Sequence, residues 1–196
     1  MTLIELLASD TDFEGLTIEG DCAGVIFADK TFYDCEFRNL SLPKACFDRC
    51  IFEECRFVGC DLTMATLSGA RFCDVQFVGC KLMGIDWSPA AGLTFSVGFE
   101  KCVLSHCSFI DLRMKETHFI KCKLHEANFA GTDLTQADFS QSDLEGARFL
   151  DTNLTGTDLS TAEHYRIDPE HNIVKQTKFS IPAALALVTR LGIVVE

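Results

Sequence analysis

The chain has no apolar run near the ~18–20 residues that a membrane-spanning helix needs. Its opening MTLIELLASDTDFEG has neither the basic leader nor the small-residue cleavage site of a secretory signal. A cytoplasmic protein with no membrane contact is the expectation. Basic residues are scarce: 17 Lys and Arg stand against 29 Asp and Glu, a net charge of −12. That disfavours direct binding to nucleic-acid phosphates. There is no Cys-x-x-Cys pair, no G-x-G-x-x-G, no Walker phosphate loop, no H-E-x-x-H and no G-x-S-x-G. The motifs that usually expose an enzyme or a cofactor are missing, so neither is expected, and function has to be read from architecture.

What is present is a period of five. From residue 127 the chain reads ANFAG TDLTQ ADFSQ SDLEG ARFLD TNLTG TDLST, a small residue first, a polar one second and Phe or Leu third. Carried backwards, a large apolar residue recurs at every fifth position from Phe99 to Leu159, and an earlier ladder runs from Phe27 to Trp87. Five matches neither the helical 3.6 nor the strand period of two, so each pentad must be a short extended piece followed by a corner. Residue types also match at twenty, as in Phe32, Phe52 and Phe72 or Phe109, Phe129 and Phe149. Four pentads therefore close one square coil. The fold class is an all-β solenoid spanning residues 1–162, with an irregular first coil over 1–26.

Two positions before each large rung stands a second inward residue, usually small, and eight of the eleven cysteines hold this register, Cys60, Cys80, Cys102 and Cys122 among them. Strand alternation points both residues into the tube, which makes the cysteines packing residues. Stacked thiols such as Cys35 and Cys55 would lie close enough to bridge on oxidation. His106, His118, His125, His164 and His171 fall on outward or tail positions, so no metal site is expected. A tube filled by its own side chains leaves no concavity of the ~300–1,000 Å³ that a small-molecule site requires.

Between Trp87 and Phe99 lie twelve residues where ten would keep phase. The segment 88–98 must bulge, and its Ser88, Pro89, Gly92, Leu93 and Phe95 are candidate partner contacts. Leu93 or Phe95 would be the anchor, unless it turns inward as a lone apolar residue more often does.

The tandem ANFAGTDLTQADFSQ resembles the pentapeptide-repeat family, which implies a right-handed quadrilateral β-helix. The phase break after LMGIDW, the second ladder and the tail HYRIDPEHNIVKQTKFSIPAALALVTRLGIVV are similar to the members that protect type II topoisomerases in albicidin resistance, microcin immunity and quinolone (Qnr-type) resistance. Such relatives are rod-shaped dimers joined at their C-terminal ends. The tail 163–196 suits that role: Pro182 opens a helix of about 182–191, Gly192 ends it, and a short extended strip follows. Leu185, Leu191, Ile193 and Val195 are the candidate homodimer contacts, against the plainer reading of a monomer cap.

Acid is concentrated at the ends: residues 126–163 hold eight acids and Arg148 alone. Spread over about two coils, that density is close to the ~0.6 charges per Å of duplex DNA. The resemblance thus implies a non-enzymatic DNA mimic that binds DNA gyrase or topoisomerase IV through Asp133, Asp138, Asp143, Glu145, Asp151 and Asp158. The alternative is an acidic interaction scaffold with another partner, in which the aspartates bond local backbone at the corners and keep the rod soluble. The loop at 88–98 is shorter than in the resistance proteins and their first loop is absent here, since rungs Phe32 to Leu67 run unbroken.

Overall fold

A computed structural model describes residues 10–20, 27–90, 92 and 95–190. The described residues wind as a right-handed square β-solenoid of about 8 turns with one short helix. Each wall is a stack of very short strands or single bridges in parallel register. The first wall stacks β1 (Asp12–Glu14), β3 (Thr31–Tyr33), β5 (Ile51–Glu53) and β7 (Arg71–Cys73). The second stacks β2 (Thr17–Glu19), β4 (Glu36–Arg38), β6 (Arg56–Val58), β8 (Val75–Val78), β9 (Val97–Glu100) and β10 (Phe119–Ile120). Bridges carry the third wall from Ser41 through Asp61, Lys81, Val103, Lys123 and Asp143 to Glu163, and the fourth through Asp86, Ser108, Asn128 and Arg148.

The five-residue period has a local cause. Three or four extended residues end at a corner residue in the left-handed region, as at Gln136 (φ 59°), Gln141 (φ 59°) and Gly146 (φ 71°). Left-handed backbone disfavours residues bearing a Cβ. It persists here because each coil is hydrogen-bonded to the coils on either side. Phe119 N–H donates to the Asp138 carbonyl at 2.7 Å, and Asp138 N–H returns to the Thr117 carbonyl at 3.0 Å.

Inside, the rungs stack in register. Phe99, Phe119 and Phe139 lie ring on ring at 5.2 and 4.7 Å, with Phe109 and Phe129 edge-on to Phe119 at 5.7 Å. The core is close-packed: a void of about 10 Å³ near Phe52, Phe72 and Trp87 is lined by apolar side chains alone. The eight cysteines in the small inward register are the eight buried thiols, and every described cysteine is unbridged. They do more than fill space. Each small inward donor bonds a carbonyl of the coil before it: Cys60 Sγ to Phe37 O at 3.3 Å, Thr132 Oγ1 to Phe109 O at 2.7 Å, Thr152 Oγ1 to Phe129 O at 2.8 Å. Burial pushes the Cys55 and Cys107 thiols up to about 12.

Two registers depart from twenty. Phe13 pairs with Phe32 and Ile18 with Phe37, so the first coil is one residue short. Phe77 pairs with Phe99, which absorbs the two extra residues of the phase break.

The solenoid does not end at 162. β11 (Thr152–Asn153) pairs with β13 (Asn172–Ile173), and β12 (Asp158–Leu159) with β14 (Lys178–Phe179), each twenty residues on. Asn172 and Thr177 hold the small inward position with donors of their own: Asn172 Nδ2 reaches Phe149 O at 3.1 Å and Thr177 Oγ1 reaches Leu154 O at 2.6 Å. This last coil carries Val174 and Phe179 in place of Leu, packed against the core. Helix α1 (Ile181–Arg190) follows at once, one residue before the expected start. Tyr165 clamps its entrance, its hydroxyl accepting the Ser180 N–H at 2.9 Å.

Candidate functional site

The six acidic candidates do not share one surface. Asp133 lies on the first wall, Asp138 and Asp158 are stacked on the second, and Asp143 and Glu145 lie on the third. Asp151 is a corner residue (φ 54°) whose N–H bonds the His171 carbonyl at 2.7 Å. The carboxylates therefore wrap three consecutive walls at the C-terminal end and leave the fourth, with Asn128 and Arg148, without one at the equivalent position. A pentad turns one corner, so acids in successive pentads must face successive directions.

Most of these aspartates also serve the fold. Where an Asp precedes the rung in these coils, its carboxylate accepts the N–H two positions on, which steadies the corner. Asp133 Oδ1 takes Thr135 N–H and its hydroxyl at 3.1 and 2.5 Å, Asp138 Oδ1 takes those of Ser140 at 2.8 and 2.5 Å, and Asp158 Oδ1 those of Ser160 at 3.0 and 2.6 Å. Their other oxygens meet cations: Lys115 lies 3.3 Å from Asp133 and Lys178 2.9 Å from Asp158. The Ser160 hydrogen bond, then Lys178, holds the Asp158 carboxyl below its usual range.

Asp143 has different company. His125 Nε2 lies 2.6 Å from its Oδ2 and His164 Nδ1 2.8 Å from its Oδ1. Burial works against ionisation, yet the two imidazoles outweigh it and hold Asp143 at about 2. His164, bonded to that carboxylate, is raised in turn. Beside this group a surface recess of about 570 Å³ is lined by Glu126, Glu145, His164, Tyr165 and Arg166. The solid-rod expectation of no such concavity is corrected here. Tyr165 and Arg166 reach it from the last coil, and Gly146 and Ala147 form its small-residue side. Two spacings in the sequence mark this cluster: Glu145 is twenty residues from His125, and His164 is in step with Leu144.

In the phase break, Ser88, Pro89 and Ala90 form a 3₁₀ turn, with the Ser88 hydroxyl bonded to Asp86. Pro89 and Gly92 are exposed. Phe95 is not an exposed anchor: it packs edge-on to the buried rings of Phe72 and Trp87, both with centroids at 6.4 Å. Leu93 lies outside the described residues, as do Leu191, Ile193 and Val195 of the candidate dimer strip. Leu185 is 45% exposed on α1, next to Ile181 at 78%.

Two stretches, residues 30–95 and 93–159, match the family model described as a pentapeptide repeat region. The chain belongs to the pentapeptide-repeat family. No curated protein matches it by sequence. Among solved structures, one trypsin-treated variant of QnrB1, described as a plasmid-mediated fluoroquinolone resistance protein, superposes with a TM-score of 0.62 at 19% identity. The match covers 94% of this chain and 98% of that one. A second trypsin-treated QnrB1 variant gives the same score and identity, over 94% and 97%. HetL of the cyanobacterium Nostoc sp. strain PCC 7120, described as involved in heterocyst differentiation regulation, is 16% identical over 85% and 84%, with a TM-score of 0.32. The pentapeptide-repeat fold is thus shared with QnrB1 through the last coil as well as the regular repeats.

Proposed function

We propose that this pentapeptide-repeat protein is a non-enzymatic, cytoplasmic protein that binds DNA gyrase or topoisomerase IV and relieves a topoisomerase poison. The observation that carries the reading is the superposition on a fluoroquinolone resistance protein over nearly the full length of both chains. The charge is in keeping with it. A rod negative on three of four walls at one end offers a basic DNA-binding groove a cylinder of charge rather than a single acidic face, and duplex DNA is likewise charged around its girth. Ile181 and Leu185, exposed on α1, support a homodimer joined through the C-terminal ends.

A protein partner held by such charge is attracted at long range, so complex formation weakens steeply with salt. The test is direct binding of the purified chain to gyrase and to topoisomerase IV at low and at physiological ionic strength. Binding that falls with salt supports the reading; no binding to either enzyme at low salt removes it.

The second reading is an interaction scaffold for a different partner. It is favoured by the corner bonds of Asp133, Asp138 and Asp158, which explain those residues without any partner. Capture from a bacterial lysate separates the two: gyrase or topoisomerase IV subunits support the first, and their absence beside a different captured protein supports the second.

A further inference from the structure

The third wall carries a group of side chains whose contacts go beyond the corner bond of Asp143 to the Glu145 N–H. One imidazole nitrogen of His125 and one carboxylate oxygen each of Asp143 and Glu145 lie within 4.8 Å of one another. His125 Nε2 is 2.6 Å from Asp143 Oδ2, and its Nδ1 is 4.0 Å from Glu145 Oε2. His125 is the most enclosed of the three, its side chain 24% exposed against 33% for Asp143 and 69% for Glu145. His164 reaches the other oxygen of Asp143 from the next coil. The recess beside Glu145 and His164 gives access from solvent and room for water.

We propose that His125, Asp143 and Glu145 form a binding site for a divalent first-row transition cation, Zn²⁺ above all, with His164 orienting Asp143 and water completing the coordination.

The donor set argues for that class of ion. One imidazole and two carboxylates suit a borderline cation such as Zn²⁺. Ca²⁺ and Mg²⁺ prefer oxygen-only shells of six or more ligands, which one wall of this solenoid does not supply. Bonds of ~2.0–2.1 Å in a tetrahedral site separate neighbouring donors by roughly 3.3 Å. The 2.6 Å contact of His125 Nε2 with Asp143 Oδ2 would open by about 0.7 Å, and Glu145, which lies nearest the other ring nitrogen, would swing across to the Nε2 side. Glu145 is the exposed, mobile-stemmed member, so its rotation supplies most of the change.

The hydrogen bond from His164 is the kind of support that fixes a ligating carboxylate in other metal sites. It occupies Oδ1, so Oδ2, which His125 Nε2 contacts in the free chain, is the oxygen that would turn to the ion. Two carboxylates balance the charge of the cation. The surrounding charges are mixed: Lys123 lies below Asp143 on the same wall, Glu163 above it, and Glu126 and Arg166 line the recess. His125 and Glu145 belong to successive coils, and His164 to the next. An ion here would therefore clip the last three coils together, stiffening the end of the rod next to α1.

The experiment uses the full chain, stripped of metal, and needs no topoisomerase. Zn²⁺ is titrated calorimetrically, and Co²⁺ is titrated by its visible ligand-field bands, which report coordination without thiolate. The expected result is one equivalent bound, with thermal unfolding raised by about 5–10 °C at a hundredfold excess over Kd. His125→Gln, Asp143→Asn and Glu145→Gln each weaken binding by at least about tenfold, and His164→Gln by about tenfold or more through loss of orientation. His118→Gln leaves it unchanged. Circular dichroism confirms that every variant folds, and Asp143→Asn keeps the Oδ1 acceptor that Glu145 N–H uses. No binding at millimolar Zn²⁺, binding indifferent to the three ligand variants, or thiolate-to-cobalt charge transfer would each overturn the site.

Discussion

Replacing Asp133, Asp138 and Asp158 together, once by Asn and once by Ala, separates the two jobs these residues hold. Each accepts a backbone N–H and a hydroxyl on Oδ1. Alanine removes both bonds at a partly solvated corner, where water makes up much of the loss, so about 1 kcal/mol per site and about 3 kcal/mol for the triple variant is expected. Asparagine keeps the acceptor. It gives up the exposed ion pairs to Lys115 and Lys178 and the longer contact of His118 with Asp138, which contribute little. The Asn variant should thus unfold in guanidinium close to the parent and the Ala variant well before it. Far-UV circular dichroism and the emission of the single, buried Trp87 follow the transition. If Asn destabilises as much as Ala, the charge and not the Asx corner holds these positions. The same Asn variant removes three of the negative charges without disturbing the walls, so under the proposed function it binds gyrase more weakly and with a shallower salt dependence.

Phe119→Ala empties a rung stacked on Phe99 and Phe139. It should cost about 3–5 kcal/mol by denaturant unfolding, and more than the same change at Phe149, which lies nearer the end and stacks on Phe129 on one side only. Thr132→Val keeps the shape but leaves the Phe109 carbonyl without its hydroxyl donor, for a loss of about 1–3 kcal/mol; a neutral result would mean that the inward donors only fill space. Among the described thiols, Cys46 is exposed and should react with a disulfide reagent far faster than Cys55, Cys102 or Cys107, whose thiols burial and neighbouring thiols hold at about 12. Mass mapping of the labelled sites decides it.

The square coil was legible because its cause is periodic. Phe or Leu every fifth residue and matching types every twentieth leave one geometry that buries them, and the eight inward cysteines followed from strand alternation alone. The last coil was missed because its packing residues change type. Asn172 and Thr177 hold the inward positions with polar side chains that are satisfied by carbonyls of the coil before, and Val174 and Phe179 keep the twenty-residue step inside a stretch with no tandem signature. Phe95 was ambiguous because nothing local says which way a phase break folds; its edge-on packing against the buried rings of Phe72 and Trp87 decides it. The acidic candidates were found as residues but not as a surface. Their corner bonds depend on Thr and Ser two positions on, a pattern visible in TDLT, ADFS and TDLS, whereas the pairing of Asp143 with His125 and His164 arises only when coils stack.

The central claim is that a solid prism of this kind works by occupying a topoisomerase, and gyrase supercoiling in the presence of a fluoroquinolone tests it most directly. Added in increasing amounts at low salt, the chain should restore supercoiling and lower the yield of drug-stabilised cleaved DNA, with the Asp133, Asp138 and Asp158 asparagine variant doing so less well. Unchanged inhibition and cleavage across the titration, by a chain shown to be folded, would contradict the account.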